Sequence, residues 1–139
     1  RKLGLESAFV TEDAVYHPVF LEVGGPAAEG VYLTFAQAPD TPERQQFEKT
    51  YKAMWKVDAI GSYAYYAYDA GMMALAAIDK AGTAKGDALQ KTIRGNTWSG
   101  VTGDITFDEH GDRKLAHIVW IVKDNQFVPY WDPMTGKDL

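Results

Sequence analysis

Apolar and polar positions alternate along this chain in short blocks of two kinds. Val31-Tyr32-Leu33-Thr34-Phe35 is β-branched and aromatic and predicts the clearest strand. Ala8-Phe9-Val10-Thr11 is a shorter apolar run and predicts a buried strand. Residues 15–23 are mostly apolar and are closed by Gly24-Gly25-Pro26, which predicts a short helix. Pro18 can stand only near its beginning, because a proline inside a helix removes a hydrogen bond and clashes with the preceding turn. Arg1-Lys2-Leu3-Gly4-Leu5 reads as the tail of a helix ending at Gly4, the first hint that the chain is a fragment.

The middle of the chain follows a helical period. Residues 36–42 form a polar linker with two prolines, and Thr41-Pro42-Glu43-Arg44 then opens a helix. Thr41 can cap, Pro42 fits the first helical position, and Glu43 faces the positive end of the dipole. That helix is expected to reach about residue 56, with Phe47, Tyr51, Met54 and Trp55 as its buried stripe. Residues 61–81 predict the longest helix, rich in Ala and Met, stopped by Gly82 and crowded at its start by Tyr63, Tyr65, Tyr66 and Tyr68. A third helix is expected over residues 85–94. The period then shortens: strands are predicted at 104–107, 116–122 and 126–131, with polar turns at 108–112 and 123–125. The later strands read as antiparallel. The pattern is α/β, with no internal repeat or low-complexity segment.

Composition narrows the function. The 139 residues are 46% hydrophobic, enough for one real core, and the net charge is −5. An acidic chain without a basic cluster argues against nucleic acid and anionic membranes as partners. Cysteine is absent, which excludes disulfides and thiolate metal sites. Among His17, His110 and His117 no pair has the spacing of helical zinc ligands. Gly100-Val101-Thr102-Gly103 lacks the lysine and following helix of a phosphate cradle, so its glycines are read as turn residues. Asp108, Glu109 and Asp112 share one turn. Paired acids can hydrolyse glycosides and acidic loops can bind calcium, but this loop is too short for a calcium hand, and a solvated turn with Gly111 in a left-handed position is the plainer reading. Ser62 and Ser99 have no nucleophile context. The residues make no case for an enzyme, a metal or a cofactor.

Several segments together resemble the type 1 periplasmic binding proteins, in particular the leucine/isoleucine/valine-binding group. Ala27-Ala28-Glu29-Gly30-Val31-Tyr32 is similar to that family's signature before a crossover strand. Tyr63-Ala64-Tyr65-Tyr66-Ala67-Tyr68-Asp69-Ala70 resembles its helix start. Gly100-Val101-Thr102-Gly103 followed by Phe107-Asp108 and Gly111-Asp112 resembles a third block, and the residues from Leu3 to Val10 and from Trp120 to Trp131 resemble its helix end and closing strands.

The resemblance implies a type I fold of two Rossmann-like lobes joined by three crossovers, with this chain as a C-terminal fragment. Residues 1–33 are expected in the second lobe, 34–38 as a hinge crossover, 39–117 in the first lobe, 118–120 as another crossover and 121–139 back in the second. It implies the solute-binding component of an ABC importer, periplasmic or extracellular with lipid anchoring left open, holding an amino acid or small carboxylate in the cleft between lobes. A ligand-sensing receptor or amide-responsive regulator is the alternative. Expected partners are the small-molecule ligand, a membrane permease, and either the missing N-terminal portion or a swapped second copy. Glu12 matches the family position that holds the ligand ammonium, and Tyr63 matches the aromatic of the first lobe. Asp13, Tyr65 and Tyr66 are lesser candidates; Asp13 stands where the family often has glycine.

Overall fold

The computed structural model describes Gly4 and residues 6–139, so the helix tail read at residues 1–5 lies, apart from Gly4, outside the described residues. In chain order the elements are β1 (Phe9–Thr11), α1 (Pro18–Gly24), β2 (Val31–Ala36), α2 (Pro42–Trp55), α3 (Tyr63–Ala81) and α4 (Gly86–Arg94). They are followed by β3 (Trp98–Gly100), β4 (Gly103–Ile105), β5 (His117–Lys123), β6 (Gln126–Asp132) and β7 (Lys137–Asp138). These form two compact units. One comprises the residues up to Gln37 together with Ala116–Leu139; the other is Ala38–Leu115.

The first unit is a sheet of order β1-β2-β5-β6-β7, parallel between β1 and β2 and antiparallel elsewhere. Leu33 pairs with Trp120 and Phe35 with Ile118, so apolar residues of β2 and β5 fall on one face. Val31, Leu33, Phe35, Ile118, Trp120 and Val122 are all buried there. Each fully buried side chain of this size stabilises the fold by about 1.5–3 kcal/mol. Tyr16 covers this face, its ring stacked 4.6 Å from Phe35 and packed 4.6 Å from Phe127 and 4.9 Å from Trp120. The Trp120 indole donates to the Phe35 carbonyl at 3.2 Å, which satisfies its only polar atom. Asp124 and Asn125 join β5 to β6 at φ 52° and 58°, the positive values that a two-residue hairpin turn needs. The Glu29 carboxylate accepts from Asp124 N at 3.0 Å and so holds that turn.

Two expectations need correction here. β1 was expected to be buried, yet Phe9 is 56% and Val10 68% exposed. Among the described residues β1 pairs only with β2, so it is an edge strand whose apolar character finds no full cover. The helix expected from residue 15 starts only at Pro18, after a separate 3-10 turn at Asp13–Val15. Proline takes the first position because its missing N–H is an orphan there anyway, and His17 Nδ1 caps it by accepting from Val19 N at 3.2 Å.

The second unit holds α2, α3, α4 and the antiparallel pair β3–β4. Thr41 caps α2 by accepting from Arg44 N at 3.2 Å, and Lys56 ends it in a left-handed conformation, donating its N–H to Lys52 O. Gly82 closes α3 in the same left-handed manner. The apolar stripe of α2 also departs from the expected burial. Phe47 and Tyr51 are half-buried, but Met54 and Trp55 are 67% and 63% exposed. The stripe lines an open groove of about 650 Å³ with Ala64, Ala67 and Tyr68 of α3. The strand expected at 104–107 is shorter: β4 stops at Ile105, and Phe107 makes only an isolated bridge to Arg113. β3 and β7 are short strands that the pattern did not predict.

Candidate functional site

Glu12 follows the C-terminal end of β1, in extended backbone at φ −113°. Its carboxylate accepts from Ala14 N at 3.0 Å and thereby caps the 3-10 turn Asp13–Val15. An acid before a helical turn does this readily, since the first N–H groups have no partner in the turn. The residue remains exposed. Asp13 begins the turn, and its carbonyl accepts from Tyr16 N at 2.9 Å, which sets Tyr16 onto the sheet. Both acids belong to the sheet unit.

The three tyrosines belong to the helical unit and lie at the start of α3. Tyr63 is the first residue of the helix and is 47% exposed. Tyr65 turns toward α2: its hydroxyl donates to Glu48 Oε1 at 2.8 Å, and Arg44 Nε donates to the same oxygen at 3.2 Å. The Arg44 guanidinium lies 4.7 Å from the Tyr65 ring centre. Burial first, and then the hydrogen bond to the Glu48 carboxylate, push the Tyr65 phenol up to about 12. Tyr66 is half-buried, and burial pushes its phenol up as well. The Arg113 guanidinium sits 5.8 Å from its ring centre. The phenol of Tyr65 thus ties two helices together, while Tyr63 is the most exposed of the three.

Asp69 is a functional candidate that the sequence reading missed. It is only 3% exposed, and its carboxylate accepts from Val101 N at 2.7 Å and Thr102 N at 2.9 Å. The Thr102 hydroxyl also donates to it. The tyrosine-rich helix start and the Gly100-Val101-Thr102-Gly103 turn, two separate motifs in sequence, are therefore one structural feature. Gly100 is required because a Cβ there would collide with the Asp69 carboxylate. A buried acid inside an aromatic helix start was the available signal, since such a charge demands donors.

The acidic turn after β4 is held by its own backbone. Asp108 Oδ1 accepts from the N–H groups of His110, Gly111 and Asp112, each at 2.9 Å. Those bonds, that from Asp112 foremost, hold the Asp108 carboxyl below its usual range. That oxygen is committed to forming the turn, with Gly111 at φ +93°. Among the described residues no group of three or more His, Asp or Glu is arranged to hold a metal ion, and no helix is long and apolar enough to cross a membrane.

A family model for periplasmic binding proteins matches residues 1–126. The leucine-, isoleucine-, valine-, threonine- and alanine-binding protein of Pseudomonas aeruginosa is 30% identical over 115 residues, covering 82% of this chain. A Leu/Ile/Val-binding protein homologue of Brucella abortus is 30% identical over 120 residues, covering 84%. The chain spans 31% of the length of each of these curated relatives. Among solved structures, the leucine-binding protein LivK of Thermotoga maritima superposes with a TM-score of 0.79 at 28% identity, covering 97% of this chain and 40% of its own. The relatives are binding proteins by name, not enzymes. The chain belongs to the periplasmic binding protein family, with the type I α/β fold and with leucine/isoleucine/valine-binding proteins as its relatives.

Proposed function

We propose that this chain is part of the extracytoplasmic solute-binding component of an ABC importer, and that the whole protein binds an amino acid, branched-chain residues foremost. The observation that carries this reading is Glu12. It is an exposed carboxylate directly past the C-terminal end of a strand that runs parallel to its neighbour, held in place by a backbone N–H. Ligand sites of α/β sheets gather outside the carboxyl ends of strands. A carboxylate there suits an ammonium group, and a charged hydrogen bond of this kind contributes about 1.5–3 kcal/mol. Asp13 stands beside it. Tyr63 supplies exposed aromatic surface for an apolar side chain, while Tyr65 and Tyr66 hold the start of α3.

The rest of the relatives' length is proposed to cover the apolar surface left open here. Phe9 and Val10 on the β1 edge, and Met54, Trp55, Met72 and Leu75 on α2 and α3, are all exposed. The missing N-terminal portion, or the same segment of a swapped copy, would fill that role. The location is periplasmic or extracellular, and a membrane permease is the downstream partner.

The test is a thermal-shift and calorimetric screen of the whole protein against amino acids and small carboxylates, since a ligand that binds the native state raises its melting temperature. Leucine, isoleucine or valine is expected to bind, and Glu12→Ala is expected to weaken it at least about tenfold, roughly 1.4 kcal/mol. An unchanged affinity removes Glu12 from the site. Binding only of acids that lack an amine keeps the carrier and retires the ammonium role. No binding of any small molecule sinks the reading.

A further inference from the structure

Several parts of the helical unit converge on the turn between β3 and β4. From α3 comes the buried Asp69 carboxylate, on Val101 N, Thr102 N and the Thr102 hydroxyl. From the C-terminal side comes Arg113, whose Nη2 donates to Thr102 O and Asp104 O at 3.3 Å each. From the N-terminal side comes Pro39, packed so closely that a Cβ on Gly103 would lie 3.1 Å from its Cγ. Pro39 and Arg113 stand beside the two ends of this unit, Ala38 and Leu115.

Tyr63, Tyr66 and Asp69 recur every third residue of α3 and so share one row along the helix. Asp69 is anchored to the turn, and Tyr66 lies against the arginine that grips the turn. Tyr63 is the third, at the exposed end. A charge buried as deeply as Asp69 is destabilising unless donors hold it, and hydrogen bonds to a charged acceptor are short and directional. The bonds therefore fix the rotation of α3 about its axis as well as its position.

We propose that Asp69 is a positioning residue for ligand capture: it locks the Tyr63–Tyr66–Asp69 row to the Gly100–Gly103 turn, so Tyr63 is presented in one orientation, fixed to the same turn as both ends of the unit. This rests on the reading of Tyr63 as a ligand contact.

The test is a double-mutant cycle on leucine affinity of the whole protein, measured by calorimetry for the parent, Asp69→Asn, Tyr63→Ala and the double variant. Asparagine keeps the shape but turns an amide NH2 toward a backbone donor. Asp69→Asn is expected to weaken leucine by about tenfold in the parent and by less than about twofold beside Tyr63→Ala, because its effect runs through Tyr63. Equal factors in both backgrounds, or no change in either, overturn the proposal, since a general loss of stability acts alike on both. Should Asp69→Asn fail to fold, Thr102→Val keeps both amide donors and removes only the hydroxyl; about threefold is expected in the parent and none beside Tyr63→Ala, with the same criterion. A parent that binds leucine while Tyr63→Ala leaves affinity unchanged overturns this inference but not the carrier. A parent that binds no amino acid or small carboxylate at all overturns both, and one that binds another of these takes the same cycle, with the same criterion, on that ligand.

Discussion

Strand β2 and helix α2 carry equally plain apolar patterns, and the structure treats them differently. Val31, Leu33 and Phe35 of β2 are buried: Leu33 and Phe35 pair with Trp120 and Ile118 of β5, Val31 clusters with Ala28 and Val122, and Tyr16 stacks on Phe35. Phe47 of α2 packs against Tyr65 and Tyr68, and Tyr51 against Phe47, while Met54 and Trp55 stand in the open. A pattern specifies which face of an element wants cover. Whether the cover comes from the same stretch of chain is a separate matter. For β2 it comes from β5, far along the chain, and from Tyr16. For α2 the groove it shares with α3 stays open.

The sharpest way to break this contrast is to truncate on both sides of it. Leu33→Ala is expected to cost about 2–5 kcal/mol, because the site is closed on every side and the cavity stays. Denaturant unfolding should show that loss in the 139-residue chain and in the whole protein alike. Trp55→Ala should stay within about 0.5 kcal/mol in the chain by itself. In the whole protein it should cost about 3 kcal/mol or more if further chain covers the groove. Equal small costs in both would leave the groove uncovered and defeat that proposal.

A smaller effect tests what α2 owes to local signals instead of cover. Thr41→Ala removes the cap on Arg44 N and should cost about 1 kcal/mol by thermal unfolding, in the chain and in the whole protein alike. A last test concerns Tyr65, the residue that joins α2 to α3. Its phenol is raised from the ordinary value of 10.0 to about 12 in the fold. The folded state therefore keeps a proton that the unfolded chain gives up first. The contribution is fully present below about pH 10 and is lost as pH rises toward 12. Spectrophotometric titration should show fewer late-ionising phenols in Tyr65→Phe than in the parent, and the alkaline limb of stability should flatten in that variant.

Much of the secondary structure was legible because its signals are local. Thr41-Pro42-Glu43 marked the start of α2 and Gly82 the end of α3, since caps and left-handed stops need only neighbouring residues. β5, β6 and the turn between them followed from alternation and from Asp124-Asn125. β3 and β7 are too short to show a period. The site was legible in part. Glu12 could be placed after a strand, whereas its bond to Ala14 N depends on backbone angles that only the fold displays. Asp69 was hidden because its partners Val101 and Thr102 lie 32 and 33 residues away.

The sequence by itself determined the type of element at most positions, the family, and the absence of thiol chemistry. Each depends on neighbouring residues, or on short motifs whose order survives. The tertiary structure decided the rest. It left β1 at an edge and the α2 stripe open, turned Tyr65 inward while Tyr63 stays out, and joined two distant motifs through one buried carboxylate. Burial and charge pairing are properties of neighbours in space, and the chain reaches those neighbours only by folding.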